Sequence, residues 1–279
     1  MTQPEPVAHY LLGHTEHELR RLDIQGTLYS DITSRAFVEG GLCEGMRVLD
    51  IGCGTGDVSV TAARIVGPSG AVVGIDRGPA AIKSARQRVA AEGAEWVTFE
   101  VTELDDFHRP TEFDAVVGRF ILMHQHDPSA VLQSICRSVT IGGPVVMIES
   151  WMKVLSSGAH SHPHSELYDE IVQWKSAVVR GAKADTAAGG RLRQMYAGAG
   201  LPDPECRLEA LVAAGPDSPY YEYVEQSVRS MLPEARRLGL GGYTEETVSG
   251  LGARLRDEVM EVDGSLIAWP VVTAMARRP

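Results

Sequence analysis

The sequence predicts an α/β protein with a mostly parallel sheet covered by helices on both faces. Three observations carry that expectation. Short β-rich runs alternate with helical patterns between residues 47 and 151. The first run, Val48-Leu49-Asp50-Ile51, empties directly into the glycine-rich turn Gly52-Cys53-Gly54-Thr55-Gly56. Beyond residue 151 helical patterns dominate, with β-like runs only near 207–213 and 267–275. Strands alternating with helices mean βαβ units, whose crossovers place helices on both faces of the sheet.

The elements follow in order. Residues 1–40 form a helical lead-in, opened by Thr15 and Glu18 as a capping box. The core, 41–151, has strands at 47–51, 71–75, 96–101, 113–117 and 144–148. Between them Val58, Ala62 and Ile65 share one helix face, and Ile82, Ala85 and Val89 another. A third helix carries Leu132, Ile135 and Val139, with Asp127 as N-cap, Pro128 in its first turn and Gly142-Gly143 as its stop. A helical insertion, 152–189, has Leu167, Ile171, Trp174 and Val178 on one face. The core resumes at 190–215, where Leu192, Met195, Tyr196 and Ala199 mark a helix before a strand. A second insertion, 216–264, ends in a helix bearing Val248, Leu251, Leu255 and Val259, capped by Thr244, and 265–279 supplies the final core strand. With 279 residues the chain could hold two domains at roughly 150 residues each. The core resuming after each insertion favours one enlarged domain, its insertions capping a site above the strand ends.

Composition narrows the function. Against 37 acidic side chains stand 26 basic ones, for a net charge of −11, and no basic run exceeds a pair such as Arg236-Arg237. Nucleic-acid binding runs on clustered Lys and Arg, so it is not expected. Cys43, Cys53, Cys136 and Cys206 lack the spacing of a redox pair or a zinc site. The first 25 residues lack a cationic start and apolar signal core, and the stretch 265–276 falls short of the ~20 residues a membrane span needs. The expectation is a reduced, cytoplasmic protein without a membrane segment.

The glycine loop discriminates between cofactors. A dinucleotide lays its pyrophosphate on the helix N-terminus, usually with GxGxxG spacing. Here the glycines fall at 52, 54 and 56, and Asp50 and Asp57 would stand beside the phosphates. A nicotinamide oxidoreductase is therefore disfavoured. S-adenosylmethionine has no phosphate and carries an ammonium and a sulfonium, which suits an acidic residue closing the first strand. The run Asp50-Ile51-Gly52-Cys53-Gly54-Thr55-Gly56-Asp57 resembles motif I of the class I S-adenosylmethionine-dependent methyltransferases, and the strand–helix order is similar through about residue 151.

That resemblance implies a Rossmann-like sheet and a set of cofactor contacts. Asp50, Gly52 and Gly54 would line the methionine and ribose; Asp76, ending the second strand, would accept hydrogen bonds from the ribose diol, with Arg77 along the adenine or its ribose. The family usually carries Gly-Asp at the adenine; this chain has Thr102-Glu103 followed by Leu104, with Asp105 and Asp106 as close alternatives. The backbone at Gly118-Arg119 should touch the cofactor. Tyr10 and Gln25 match the Tyr and Gln with which small-molecule methyltransferases of bacterial biosynthetic pathways fold their lead-in over it.

The implied reaction is methyl transfer to O, C or N of a small organic molecule, in secondary-metabolite (antibiotic-type) biosynthesis. The runner-up is a scaffold of the same fold that binds the cofactor and catalyses a cyclisation or rearrangement. His124, following the fourth strand, is the first candidate base because imidazole titrates near neutrality; His126, beside the Asp127 cap, is expected to face solvent. His160, His162 and His164 lie among Ser, Gly and Pro, and a solvated loop is expected there, with no metal site. The partner is a small-molecule methyl acceptor, and a homo-oligomer stays open.

Overall fold

The computed structural model describes residues 16–155 and 158–279, so Tyr10 and Thr15 lie outside the described residues. Helix α1 (Glu16–Gly40) leads into β1 (Arg47–Ile51), α2 (Asp57–Val66), β2 (Ala71–Asp76), α3 (Pro79–Glu92), β3 (Val97–Val101) and β4 (Ala115–Arg119). Then come α4 (Pro128–Cys136), β5 (Pro144–Ser150), β6 (Ser161–His162), α5 (Glu166–Gly181), α6 (Ala188–Gly198), β7 (Glu205–Glu209) and β8 (Val212–Ala213). The chain continues through α7 (Tyr220–Arg237), α8 (Glu245–Val248), α9 (Leu251–Glu261), β9 (Ser265–Ile267) and β10 (Val271–Arg277).

Seven strands form one sheet in the order β3-β2-β1-β4-β5-β10-β7. The five strands from β3 to β5 run parallel, and β10 lies antiparallel to both β5 and β7. The order reverses between β1 and β4, and such a switch point opens a crevice outside the carboxyl ends of the strands. Strand alternation sends Leu49, Val73, Val116 and Met147 toward α4 and α6, while Val48, Val72, Val117 and Val146 face α1, α2 and α3. The hydroxyl of buried Tyr196 donates to the carbonyls of Ala274 (2.8 Å) and Val145 (3.1 Å), pinning α6 to the sheet.

The insertions build a cap with its own apolar centre, where Tyr168 and Ile171 of α5 meet Val224 and Val228 of α7, Leu255 of α9 and Leu266 of β9. A small sheet, β6-β9-β8, edges this cap. Both late β runs divide between the two sheets: 205–209 and 271–277 join the large one, 212–213 and 265–267 the small one. Pro270, which has no N–H to donate, stands at the second break. The 244–261 helix is two helices, separated at Gly250 in the left-handed region (φ 75°). Asp127 caps α4 as expected, accepting the Ala130 N–H at 3.0 Å. The helix stops at Cys136 rather than at Gly142, because Ser138 and Thr140 give their backbone groups to Phe113 instead. No helix among the described residues is long and apolar enough to cross a membrane.

Candidate active site

The crevice opens into a cavity of about 370 Å³ reaching from the glycine loop to the cap. At its sheet end Gly54 has φ 53°, and a Cβ there would meet nothing within 4 Å, so the backbone faces open space. Gly52 differs: a Cβ would strike Ile121 Cδ1 at 2.5 Å, so this glycine lets the post-β4 loop approach β1. Asp76 is held by two backbone donors, the N–H of Gly54 at 3.0 Å and that of Gly78 at 2.8 Å. Each carboxylate oxygen keeps a further lone pair for a ribose hydroxyl.

Arg77, Thr102, Glu103, Leu104, Gln25, Arg119 and His124 join Gly52, Gly54 and Asp76 on the cavity wall. Two expected contacts lie behind it. Asp50 is 1% exposed; Ser59 Oγ donates to its Oδ2 at 2.5 Å, and its Oδ1 has no partner. Burial pushes its carboxyl up to about 8. Gly118 packs where a Cβ would meet Ile51 Cγ1 at 2.9 Å and Met147 Sδ at 3.0 Å. Arg119 is structural at its head group, pairing with Asp57 and donating to Thr33 Oγ1 at 2.9 Å. An open glycine backbone, a fixed carboxylate at the strand end and an orphaned carboxylate oxygen behind the loop fit a cationic, phosphate-free nucleoside.

Two buried ionisable side chains outside the sequence expectations bear on the other end. Glu149, closing β5, accepts the N–H groups of Ile121 (2.9 Å), Leu122 (2.7 Å) and Met123 (3.4 Å), which anchors the loop carrying His124. Burial outweighs those three donors and raises its carboxyl to about 8. Lys175 of α5 is 5% exposed, with its ammonium 4.6 Å from the Trp269 ring centroid and 5.5 Å from that of Tyr223. A signal existed for each: a lone Glu ending an otherwise apolar strand, and a Lys on the apolar stripe of Ile171 and Val178.

Gln25 bridges the lead-in helix to the cap. Its Oε1 accepts from Arg21 (2.6 Å) and from the Tyr223 hydroxyl (3.2 Å), while Arg21 forms a two-pronged pair with Glu18 at 2.7 Å. His124 is depressed to about 4 by burial, with Arg77 and Arg21 adding to the effect, so its imidazole is neutral but weakly basic. His126 also lies on the cavity wall. His160 departs from the solvated loop expected for it: it is 3% exposed, packs edge-on against Tyr168 and lines a separate cavity. Ser161 and His162 pair with β9, which draws this segment into the cap. No group of three His, Cys, Asp or Glu among the described residues could hold a metal ion.

Comparison with known proteins agrees with this geometry. A ubiquinone/menaquinone biosynthesis C-methyltransferase of Geobacter sulfurreducens is 33% identical over 130 residues, 46% of this chain and 47% of that protein. The chain thus spans about half the length of the curated relatives it matches. The geranyl diphosphate C-methyltransferase of Streptomyces coelicolor A3(2) superposes over 98% of this chain and 89% of its own, with TM-score 0.54 and 17% identity. The [4+2]-cyclase SpnF superposes over 90% and 81%, with TM-score 0.52 and 17% identity. These likenesses show a shared fold. The family model described as a methyltransferase domain matches residues 42–200, and the chain belongs to the class I S-adenosylmethionine-dependent methyltransferases.

Proposed function

We propose that the protein methylates a small organic molecule bound beneath the cap, in a biosynthetic pathway of secondary metabolism. The observation that carries this reading is the single cavity whose two ends differ. One end has Gly54, Asp76 and Glu103; the other has Tyr29, Tyr220, Tyr223, Trp269 and Lys175. The first suits S-adenosylmethionine, with Asp76 on the ribose and 102–104 at the adenine. That cofactor, once bound, supplies an electrophilic methyl group. The second end, walled by aromatic rings, suits a largely apolar acceptor of modest size.

What this chain contributes is alignment and dryness. Methyl transfer is an in-line displacement, so holding donor and acceptor in register supplies much of the rate. The Tyr223 hydroxyl donates to Gln25 Oε1 on the cavity wall, which ties α7 of the cap to α1. His124 lies on the same cavity wall, but its depressed basicity makes it a positioning group there.

The test has two parts. Calorimetric titration with S-adenosylhomocysteine should show one site per chain. Incubation with methyl-labelled cofactor and a panel of small aromatic and isoprenoid acceptors should place label in a product. Because a cyclase shares the fold, cofactor binding with product formation but no label would favour the scaffold reading instead.

A further inference from the structure

Lys175 stands apart among the charged side chains of the cavity wall. Arg21 is neutralised by Glu18 and Arg119 by Asp57. Lys175 makes no ion pair or hydrogen bond among the described residues; its contacts are the ring faces of Tyr223 and Trp269. Aromatic faces attract a cation but do not accept its protons as a carboxylate would. A nearly buried amine without a counter-ion is expensive unless it loses its proton or a ligand brings the missing charge.

We propose that Lys175 is the proton acceptor of the acceptor end: its neutral amine takes the proton of an ionisable hydroxyl, a phenol or enol, and the resulting ammonium pairs with the oxyanion. This rests on the methyltransferase reading above and deepens it to an acceptor class.

The surroundings support the assignment. The charged or titratable groups facing Lys175 are Arg21 of α1 and His160 before β6, and neither is an anion; the Tyr220 hydroxyl of α7 is buried and its ionisation suppressed. Burial, aided by Arg21, lowers the amine to about 7, so the neutral form is populated near neutrality, whereas His124 sits near 4. The Tyr223 and Trp269 rings that flank the amine would lie beside a planar conjugated acceptor. In the reaction the acceptor O–H bond breaks, its proton becomes the third hydrogen of the ammonium, and the electron pair stays on oxygen or its conjugated carbon. That pair forms the new bond to the methyl carbon. S-adenosylmethionine, when bound, would supply that methyl carbon and keep the carbon–sulfur electron pair on its sulfur, and the Lys175 proton returns to solvent after product leaves.

Para-hydroxyacetophenone, a phenol less acidic than the Lys175 ammonium whose oxyanion absorbs at longer wavelength than its neutral form, probes this without turnover. It is added to the S-adenosylhomocysteine complex at a pH above that of the lowered amine, about 7, and below the phenol's own pKa. The wild type should bind it as the oxyanion without releasing a proton to buffer, because the amine takes it up. Lys175→Met should weaken oxyanion binding by about ten- to hundredfold, while para-methoxyacetophenone, which has no proton to give, binds both forms alike. Lys175→Arg keeps the charge but cannot accept the proton, so its binding should release one proton, countable by calorimetry in buffers of different ionisation enthalpy. No oxyanion signal in the wild type, an equal signal in Lys175→Met, or equal proton release in wild type and Lys175→Arg overturns the proposal. Titration with S-adenosylhomocysteine alone is read separately: its failure in the wild type sinks the methyltransferase reading, and its persistence in Lys175→Met shows that the variant is folded.

Discussion

Replacing Glu149 by Ala tests whether one side chain suspends the loop between β4 and α4. The carboxylate is 0% exposed and accepts two short bonds, from Ile121 at 2.9 Å and Leu122 at 2.7 Å, besides a long one from Met123 at 3.4 Å. Leaving a buried donor unsatisfied costs about 1–3 kcal/mol, so the two short bonds set a gross loss of roughly 2–6 kcal/mol. Removing the carboxyl also relieves its own burial penalty, and a net loss of about 2–4 kcal/mol is expected. Glu149→Gln keeps an acceptor for both short bonds and should lose no more than about 1 kcal/mol. The pH dependence has a definite sign. Glu149 is raised from 4.5 to about 8, so the folded state holds this proton more tightly, and that stabilisation is full below 4.5 and lost as pH rises through 8. Urea unfolding at several pH values should therefore show the wild type weakening relative to Glu149→Gln across that window. A Glu149→Ala protein within about 0.5 kcal/mol of wild type at all pH values would refute the anchoring role.

Four further outcomes are expected. Asp76→Ala should weaken S-adenosylhomocysteine binding by about 1–3 kcal/mol in calorimetry, since charge-assisted ribose bonds are lost. Gly54→Arg should abolish that binding, because the side chain enters the open space before the loop; retained affinity would mean that the ligand lies elsewhere. Arg119→Met should cost about 3–5 kcal/mol in thermal unfolding by leaving Asp57 uncompensated, and adding Asp57→Asn should recover much of it. His124→Asn should leave the pH–rate profile between about pH 5 and about pH 8 unshifted, since burial holds this imidazole near 4 rather than 6.5; a limb in that range lost with the histidine would restore it as a base.

The parallel half of the sheet was legible because its signals are local. The run into the 52–56 glycines, the acidic strand end at Asp76 and the Asp127 cap are each decided within a few residues. The cap was legible only as helical content. Its strand breaks near 210 and 270 come from the chain leaving one sheet for another, and period-two alternation carries no record of that. The site divided the same way. Asp76, Glu103 and Gly54 could be placed from strand ends. Lys175 gains meaning only when α5 brings it to the cavity wall, and Glu149 only when β5 sets it beneath the backbone of the loop after β4. Asp50 shows the reverse: its position in the motif was plain, but its retreat behind the wall depended on Ser59 across the turn.

The placement of β10 between β5 and β7 bears on how the chain reaches its fold. During synthesis the parallel strands emerge first and can assemble with α2, α3 and α4 while the cap is still being made. Throughout that interval β5 presents an unpaired edge, and its intended partner, beginning at Val271, is translated only after the whole cap. An open, apolar edge is a template for any other strand. A ribosome stalled within 152–264 would therefore hold the form of this chain most prone to aggregate, and chaperone demand should peak there rather than after release.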